Sequence, residues 1–134
     1  EYIEFCQELK STGKYNPLDN DQFRHEIANL RVEIEALRMI CYRVGWMQSK
    51  GEIPQMESSM TKLWVDQQFQ KTYKTLSRAL GQYGNILPTQ VGMKIPGEGF
   101  LNNRAFTSGT LSVAGGTTEV QRNIIAQRGL GLPR

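Results

Sequence analysis

The sequence has little of what most catalytic and metal sites are built from. Its 134 residues include one histidine and two cysteines, and His25 has only Asp21 as a nearby candidate ligand. A zinc site needs three or four clustered ligands, so we expect no metal site and an exposed or capped His25. Nucleophile-elbow, zinc-protease and phosphate-loop motifs are also missing. The chain therefore carries no catalytic constellation that is complete in itself.

The two cysteines, Cys6 and Cys41, stand at apolar positions of predicted helices. A small buried thiol is the commonest state for such residues, and disulfides or metal ligands are less common there. We therefore expect both to be structural.

Long hydrophobic runs and one-sided charge are absent as well. No apolar run approaches the roughly 18 residues of a membrane-spanning helix. The first ten residues, EYIEFCQELK, lack the basic and apolar regions of a signal peptide, so we expect a cytoplasmic protein without a membrane span. The net charge is +3, but basic residues are interspersed with acidic ones. Without a basic stripe or a known binding module, the sequence argues against a nucleic-acid partner.

Hydrophobic periodicity predicts three helices in the first eighty residues. Residues 1–10 begin inside a helical pattern without a cap, as expected for the truncated end of a longer helix. A helix from about Asp19 to Ser49 follows, and a third runs from about Glu57 to Leu80. The second helix has an apolar seam at steps of three and four residues, made of Phe23, Ile27, Leu30, Ile34, Leu37, Cys41 and Val44.

A glycine pair precedes the helix that is predicted at the end of the chain. Gly115 and Gly116 allow positive φ angles and a close approach of the backbone to a ligand. Thr118 and Gln121 have the spacing of a capping box, so they predict a helix that begins here and ends near Gly129. The stretch suits either a capped, packed helix or a turn that contacts a ligand.

The connection to that last helix is less regular. Residues 88–99 are rich in glycine and proline and predict irregular structure, and residues 100–106 predict a short helix or a turn. Together these elements predict an all-α protein, an antiparallel four-helix bundle whose first helix is truncated.

The closing stretch, GGTTEVQRNIIAQRGLGLPR, resembles the C-terminal signature of the acyl-CoA dehydrogenase family. Three further stretches are similar and occur in the same order: IEALRMICYR, MTKLW and ALGQYG. The resemblance implies that residues 1–134 form the C-terminal helical-bundle domain of a longer flavoenzyme. An N-terminal helical domain and a middle β-domain would precede it, so this chain would be the last third.

The resemblance also implies an activity. The family binds FAD and removes two hydrogens from an acyl-CoA thioester: a glutamate takes the α-proton, and the flavin accepts the β-hydride. Electrons then pass to an electron-transferring flavoprotein. The implied partners are therefore acyl-CoA, that flavoprotein and further subunits in a homo- or hetero-oligomer, a dimer or a tetramer. Acyl-CoA oxidase activity, found in the same superfamily, remains an alternative.

Carried over residue by residue, the resemblance places Thr117, Thr118 and Glu119 against FAD, and Gly116 against the acyl thioester. Gly81 is the one residue that this sequence keeps from the family's strip at the end of the third helix, which contacts the FAD of a neighbouring subunit. Gly115 stands where many members have the catalytic glutamate. We therefore expect no catalytic residue within this chain.

Two functions remain open at this point. In the first, the chain is a domain of an active dehydrogenase whose base lies on the helix upstream of residue 1, as in branched-chain and long-chain members. In the second, it belongs to a base-less partner subunit or a non-catalytic interaction bundle of the same fold. Gly115 and the altered strip at residues 78–82 favour the second.

Overall fold

The computed structural model describes residues 2–11, 16–86 and 100–133, and every regular element in these ranges is helical. The prediction of an all-α chain is confirmed. The helices are α1 (Tyr2–Ser11), α2 (Asp21–Ser49), α3 (Gln55–Ala79), α4 (Phe100–Leu111) and α5 (Thr118–Ile124). Two short 3-10 turns, Pro17–Asp19 and Gly81–Asn85, precede α2 and follow α3, and a π-helical turn, Ile125–Gly129, extends α5.

The boundaries agree with the predicted ones to within a few residues, except at α4. Asn20 caps α2, because its side-chain oxygen accepts a hydrogen bond from the backbone N–H of Phe23 at 3.2 Å. The element predicted at 100–106 instead continues to Leu111. The stretch predicted as irregular, 88–99, lies outside the described residues.

Ion pairs between α2 and α3 fix the direction in which the two helices run. As the residue number falls along α2, the number of its partner on α3 rises, so the helices are antiparallel. The pairs are Arg43 with Glu57 at 3.1 Å, Glu33 with Lys71 at 2.5 Å, and Glu26 with Arg78 at 3.0 Å.

Helix α3 lies in the middle of the bundle, with α2 on one side and α4 and α5 on the other. The ring of Tyr73 meets Phe100 of α4 edge to face, with centroids 6.3 Å apart. Near the end of α3, the Ser77 hydroxyl donates a hydrogen bond to the carbonyl of Gly84 at 3.0 Å. This contact holds the 3-10 turn that follows α3 against the helix. Helix α3 therefore contacts α2, α4 and α5, and it packs against them with two different faces.

The described part of the bundle buries more polar residues than apolar ones. The buried apolar side chains are Cys6, Pro17, Leu30, Pro54 and Leu80, and the buried polar residues are Asn16, Glu57, Ser59, Asp66, Gln68, Thr75, Asn102, Ser108 and Gln121. Many large apolar side chains stay exposed. Such surface is typical of a domain that packs against further structure.

The α2 seam is only partly covered. Leu30 is 4% exposed, but Ile34 remains 38% exposed. Cys6 is buried, as predicted, whereas the prediction that Cys41 is buried is wrong, since its side chain is exposed. The physical reason is that α3 packs against one side of the seam, and within the described residues little covers the side on which Ile34 and Cys41 lie.

Candidate functional site

The turn between α4 and α5 is built on two glycines in the left-handed region. Gly115 has φ 74° and Gly116 has φ 102°, values that side-chain-bearing residues adopt only with strain. The backbone N–H of Gly116 closes the turn by donating to the carbonyl of Val113 at 3.3 Å. The glycine pair that stood out in the sequence is therefore required by the backbone conformation.

Gln121 braces this turn from inside α5. Its side chain is buried, and its Nε2 donates a hydrogen bond to the carbonyl of Gly115 at 3.0 Å. A Cβ on Gly116 would lie only 2.8 Å from the same Nε2. The absence of a side chain at Gly116 thus lets the amide of Gln121 reach the turn and hold the backbone in place.

Thr117 caps α5, not Thr118 as the capping-box spacing predicted. Thr117 has extended backbone angles, and its Oγ1 accepts a hydrogen bond from the N–H of Val120 at 3.4 Å. Gln121 does not reach back to a cap residue's N–H, because its amide is held by the Gly115 carbonyl. The helix start is confirmed, but its cap lies one residue earlier.

Glu119 organises the hydroxyl of that cap. Its exposed carboxylate has a pKa below the ordinary value, because it accepts hydrogen bonds from its own backbone N–H and from the Thr117 hydroxyl, with a smaller contribution from the charge of Arg122. A carboxylate with a lowered pKa is a weak proton acceptor at neutral pH. Glu119 therefore orients Thr117 and is poorly suited to serve as the base that Gly115 cannot provide.

An ion pair of α3 lies beneath the Gly115 turn. Lys62 and Asp66, one helical turn apart, form a salt bridge, and Asp66 is only 3% exposed. A Cβ on Gly115 would come within 3.3 Å of Lys62 Cε. A glutamate at position 115 would need both a strained backbone and a displaced Lys62 side chain. Glycine at position 115 is therefore favoured by the backbone conformation, which a glutamate would adopt only with strain.

Gly81 lies at the other end of α3 from the turn. It has φ 58°, and a Cβ added to it would meet no other atom within 4 Å. Lys62 and Ala79, the last residue of α3, are separated by seventeen positions of a helix that rises 1.5 Å per residue, or roughly 25 Å. The structure brings Thr117, Thr118, Glu119 and Gly116 together and keeps Gly81 apart from them.

A pocket of about 290 Å³ lies at Gly81's end of α3, where the 3-10 turn before α2 meets the last turns of α3. It is lined by Pro17, Asn20, Gln22, Phe23, Glu26, Thr75, Arg78 and Ala79. The Glu26–Arg78 ion pair, at 3.0 Å, stands in its wall. Its lining is mostly polar or charged, with Phe23 as its one aromatic side chain.

Sequence reasoning missed three residues that shape the turn: Lys62, Asp66 and Gln121 in its bracing role. The signal for the first two was their spacing of four on α3, which allows an ion pair. Nothing in the sequence placed that pair under a turn some fifty residues later.

Two further observations bound the chemistry. Across residues 2–11, 16–86 and 100–133, no group of three or more histidine, cysteine, aspartate or glutamate side chains is arranged to hold a metal ion. His25 is exposed, and its Nδ1 lies 2.8 Å from the carbonyl of Asp21. The helices in the same ranges are all too short or too polar to cross a membrane.

Comparison with known proteins identifies this arrangement. Residues 1–130 match the family model described as acyl-CoA dehydrogenase, C-terminal domain. The acyl-CoA dehydrogenase FadE26 of Mycobacterium tuberculosis (strain ATCC 25618 / H37Rv) is 28% identical over 138 residues, covering 100% of this chain and 34% of that protein. The chain thus spans about a third of the length of this relative.

Solved structures agree with the family model. The ChsE4-ChsE5 complex from Mycobacterium tuberculosis contains a chain that matches with a TM-score of 0.79 and 27% identity, covering 100% of this chain and 34% of that one. The Tcur3481-Tcur3483 steroid ACAD matches with a TM-score of 0.79 and 23% identity, covering 99% and 34%, and supports the fold alone. Since the family model matches nearly the whole chain and the same fold recurs in these structures, the chain belongs to the acyl-CoA dehydrogenase family and corresponds to its C-terminal domain.

Proposed function

We propose that residues 1–134 are the last third of a longer, FAD-dependent acyl-CoA dehydrogenase that removes the α and β hydrogens of an acyl-CoA thioester. The matched relatives are about three times as long as this chain, which leaves room for the domains that would complete a flavin site. Bound FAD would supply the acceptor for the hydride. The residues of this chain would bind and orient flavin and substrate.

The observation that carries the proposal is the geometry of the Gly115–Gly116 turn. Both residues have positive φ, and the turn is held from inside by Gln121. A rigid turn without side chains lets main-chain groups approach a flat ring or a thioester carbonyl closely. We assign Gly116 to the thioester, and Thr117, Thr118 and Glu119 to the flavin.

The Thr117 hydroxyl fits a flavin contact in a specific way. Its oxygen accepts from the N–H of Val120 at 3.4 Å, and its interaction with Glu119 helps to lower the pKa of that carboxyl. Both contacts restrict the rotamer, so less conformational entropy is lost when a ring edge docks against it. Thr117 is therefore pre-organised for binding.

The base that takes the α-proton must be a residue other than Gly115. Gly115 has no side chain, and the Glu119 carboxylate is a weak acceptor because of its lowered pKa. The base in this proposal therefore lies on the helix that precedes residue 1. Gly81 and its neighbouring pocket would face the flavin of an adjacent subunit, since they lie roughly 25 Å from the Thr117 turn along α3. Assembly into an oligomer, with an electron-transferring flavoprotein as the electron acceptor, completes the proposal.

A second function is favoured by one observation. Gly115 has φ 74°, and a Cβ added to it would lie 3.3 Å from Lys62 Cε. A turn adapted to the absence of a base suits a partner subunit that keeps the family fold and leaves the chemistry to another chain. In that case the full-length protein alone would bind little or no flavin and would not turn over acyl-CoA.

The mass of the natural protein tests the domain assignment. We expect an intact mass near three times the 15.2 kDa of this chain, because the chain covers 34% of its relative. A mass of 15.2 kDa would contradict the assignment and favour a free-standing interaction bundle.

Substitution of Thr117 in the full-length protein tests the site. Thr117→Val removes the hydroxyl and preserves the shape, and Thr117→Ser restores it. FAD content is measured by absorbance, and turnover with an artificial electron acceptor on straight-chain acyl-CoA and on a CoA thioester of a steroid side chain. The steroid substrate is included because a structural neighbour is described as a steroid ACAD. We expect flavin content and turnover to fall in the valine variant and recover in the serine variant. Unchanged values in both variants would remove Thr117 from the site.

A further inference from the structure

Asp66 is a buried carboxylate to which the proposed function gives no role. It is 3% exposed, and it forms its ion pair with Lys62, one turn earlier on the same helix. Burying a carboxylate is costly even when it is paired, and a pair at this spacing along one helix stabilises that helix only modestly. The burial of Asp66 therefore calls for a role outside α3 itself.

Other ion pairs of α3 differ from this one in what they join. Glu57, Lys71 and Arg78 each pair with a residue of α2 and so tie two helices together. The Lys62–Asp66 pair instead links two turns of one helix. Its charges therefore do not hold α3 against α2.

The structure that the pair reaches is the Gly115 turn. A Cβ added to Gly115 would lie 3.3 Å from Lys62 Cε, so the end of the lysine stem lies against this residue. The Lys62 side chain is 26% exposed, and most of its surface is covered. The carbonyl of Gly115 accepts a hydrogen bond from Gln121 Nε2 at 3.0 Å. Gly115 is thus contacted at two points, by a side chain of α3 and by a side chain of α5.

Two consecutive glycines need such support if the turn is to keep one position. Glycine has more conformational freedom to lose than any other residue, and Gly115 and Gly116 both have positive φ. In the proposed function the backbone of this turn meets the thioester, and a displacement of about 1 Å in such a group can slow a reaction by roughly a hundredfold. A lysine stem whose far end is fixed by a buried carboxylate limits the positions that Gly115 can take.

We propose that Lys62 is a positioning residue for the thioester, and that Asp66 acts through it by fixing the lysine stem against Gly115. The inference rests on the proposed dehydrogenase function and adds two residues of α3 to it. Neither side chain touches flavin or substrate; both act by holding the backbone of the turn. Because such positioning matters most in the transition state, loss of the pair should lower kcat and kcat/KM together and leave KM nearly unchanged.

Variants of the full-length protein, in its natural assembly, separate positioning from general stability. Lys62→Ala removes the stem, Asp66→Asn leaves the stem without its charged partner, and a third variant combines the two changes. A fourth, Lys62→Met with Asp66→Asn, keeps an unbranched stem and leaves no buried charge unpaired. The controls are Lys74→Ala, at an exposed lysine of α3, and Glu35→Gln, which breaks an exposed ion pair of the same spacing on α2.

Hydrogen–deuterium exchange of segment 113–121, followed by mass spectrometry, reports on the turn and does not require flavin. We expect exchange at least about 5-fold faster in Lys62→Ala and in Asp66→Asn, and wild-type rates in both controls. Steady-state kinetics should show kcat lowered at least about 10-fold in Lys62→Ala and about 5-fold in Asp66→Asn, with KM within about 2-fold. The Met–Asn variant should recover kcat to within about 2-fold of wild type, and Asp66→Asn should cost nothing further in the Lys62→Ala background.

The proposal is overturned if exchange in Lys62→Ala stays at the wild-type rate, or if exchange rises while kcat is unchanged. It is also overturned if Asp66→Asn lowers kcat further in the Lys62→Ala background, or if the Met–Asn variant is as slow as Lys62→Ala. Should Lys62→Ala fail to fold, the comparison of Asp66→Asn with the Met–Asn variant decides on the same criteria. Wild-type protein without flavin or turnover would contradict the dehydrogenase proposal and, with it, the role of Lys62 in the reaction. Hydrogen exchange distinguishes that case, because it shows separately whether the pair holds the turn.

Discussion

The side-chain amide of Gln121 donates a hydrogen bond to the backbone carbonyl of Gly115 across 3.0 Å. This contact joins a helix to the turn that leads into it, over six residues of sequence. It is possible because Gly116, between them, has no side chain to obstruct the amide. The site therefore depends on a missing Cβ as much as on the groups that are present.

Gly116→Ala should destabilise this turn. The residue has φ 102°, and the new Cβ would lie 2.8 Å from Gln121 Nε2. We expect a loss of about 1–3 kcal/mol in the free energy of unfolding, measured by urea denaturation, together with reduced FAD content in the full-length protein. Gly109→Ala is the matched control, because Gly109 lies within α4 with open space around it. That variant should be neutral or stabilised by up to about 1 kcal/mol, and equal effects of the two changes would contradict the argument.

Glu119 should titrate below the ordinary glutamate pKa of 4.5, because its own N–H and the Thr117 hydroxyl stabilise the carboxylate. Because the pKa of Glu119 is lower in the folded protein than in the unfolded one, its ionised carboxylate stabilises the turn. This stabilisation is fully present above the unfolded pKa and is lost as the pH falls through the folded pKa. NMR titration of the side chain measures this directly. Thr117→Val should raise the pKa towards 4.5, and Thr117→Ser should keep it low. An unchanged pKa in the valine variant would exclude the hydroxyl as a cause.

The link between α2 and α3 should be sensitive to acid. Glu33 accepts hydrogen bonds from Lys71 and from Gln68, each at 2.5 Å, and both lower its pKa. The stabilisation is therefore complete above the unfolded pKa of Glu33 and is lost as the pH falls through the lowered one. We expect the free energy of unfolding to fall between about pH 5 and pH 3, and part of this fall to disappear in Glu33→Gln. Glu52→Gln removes the same charge in the α2–α3 connection and should leave the pH dependence as in wild type.

The two faces of α2 should respond differently to the same substitution. Leu37 is half-buried in the seam, so Leu37→Asp places a charge inside the bundle and should cost about 2–4 kcal/mol of stability. Met39 is 56% exposed on the opposite face of α2, and Met39→Asp should change stability by about 0.5 kcal/mol. Thermal denaturation of the two variants makes the comparison. Similar losses would mean that Met39 is covered within the same chain.

Local chemistry was readable from the sequence. Apolar periodicity placed α1, α2 and α3 to within two residues, since a helix that buries one face must repeat that face every three to four residues. The pair Gly115–Gly116 indicated a turn with positive φ because glycine alone adopts such angles without strain. The closing twenty residues were long and specific enough to indicate the family, and the family model confirmed it.

Tertiary structure decided the rest, because it depends on contacts between distant segments. The choice of Thr117 as cap followed from the capture of the Gln121 amide by the Gly115 carbonyl. Only packing placed Lys62 and Asp66 beneath Gly115, separated Gly81 from Thr117 by most of the length of α3, and left Cys41 exposed. The sequence by itself determined which segments are helical and where the backbone must turn, because those preferences are local. Which faces of the helices meet, and which stay exposed within the described residues, was decided by the fold, because α3 covers only one side of α2.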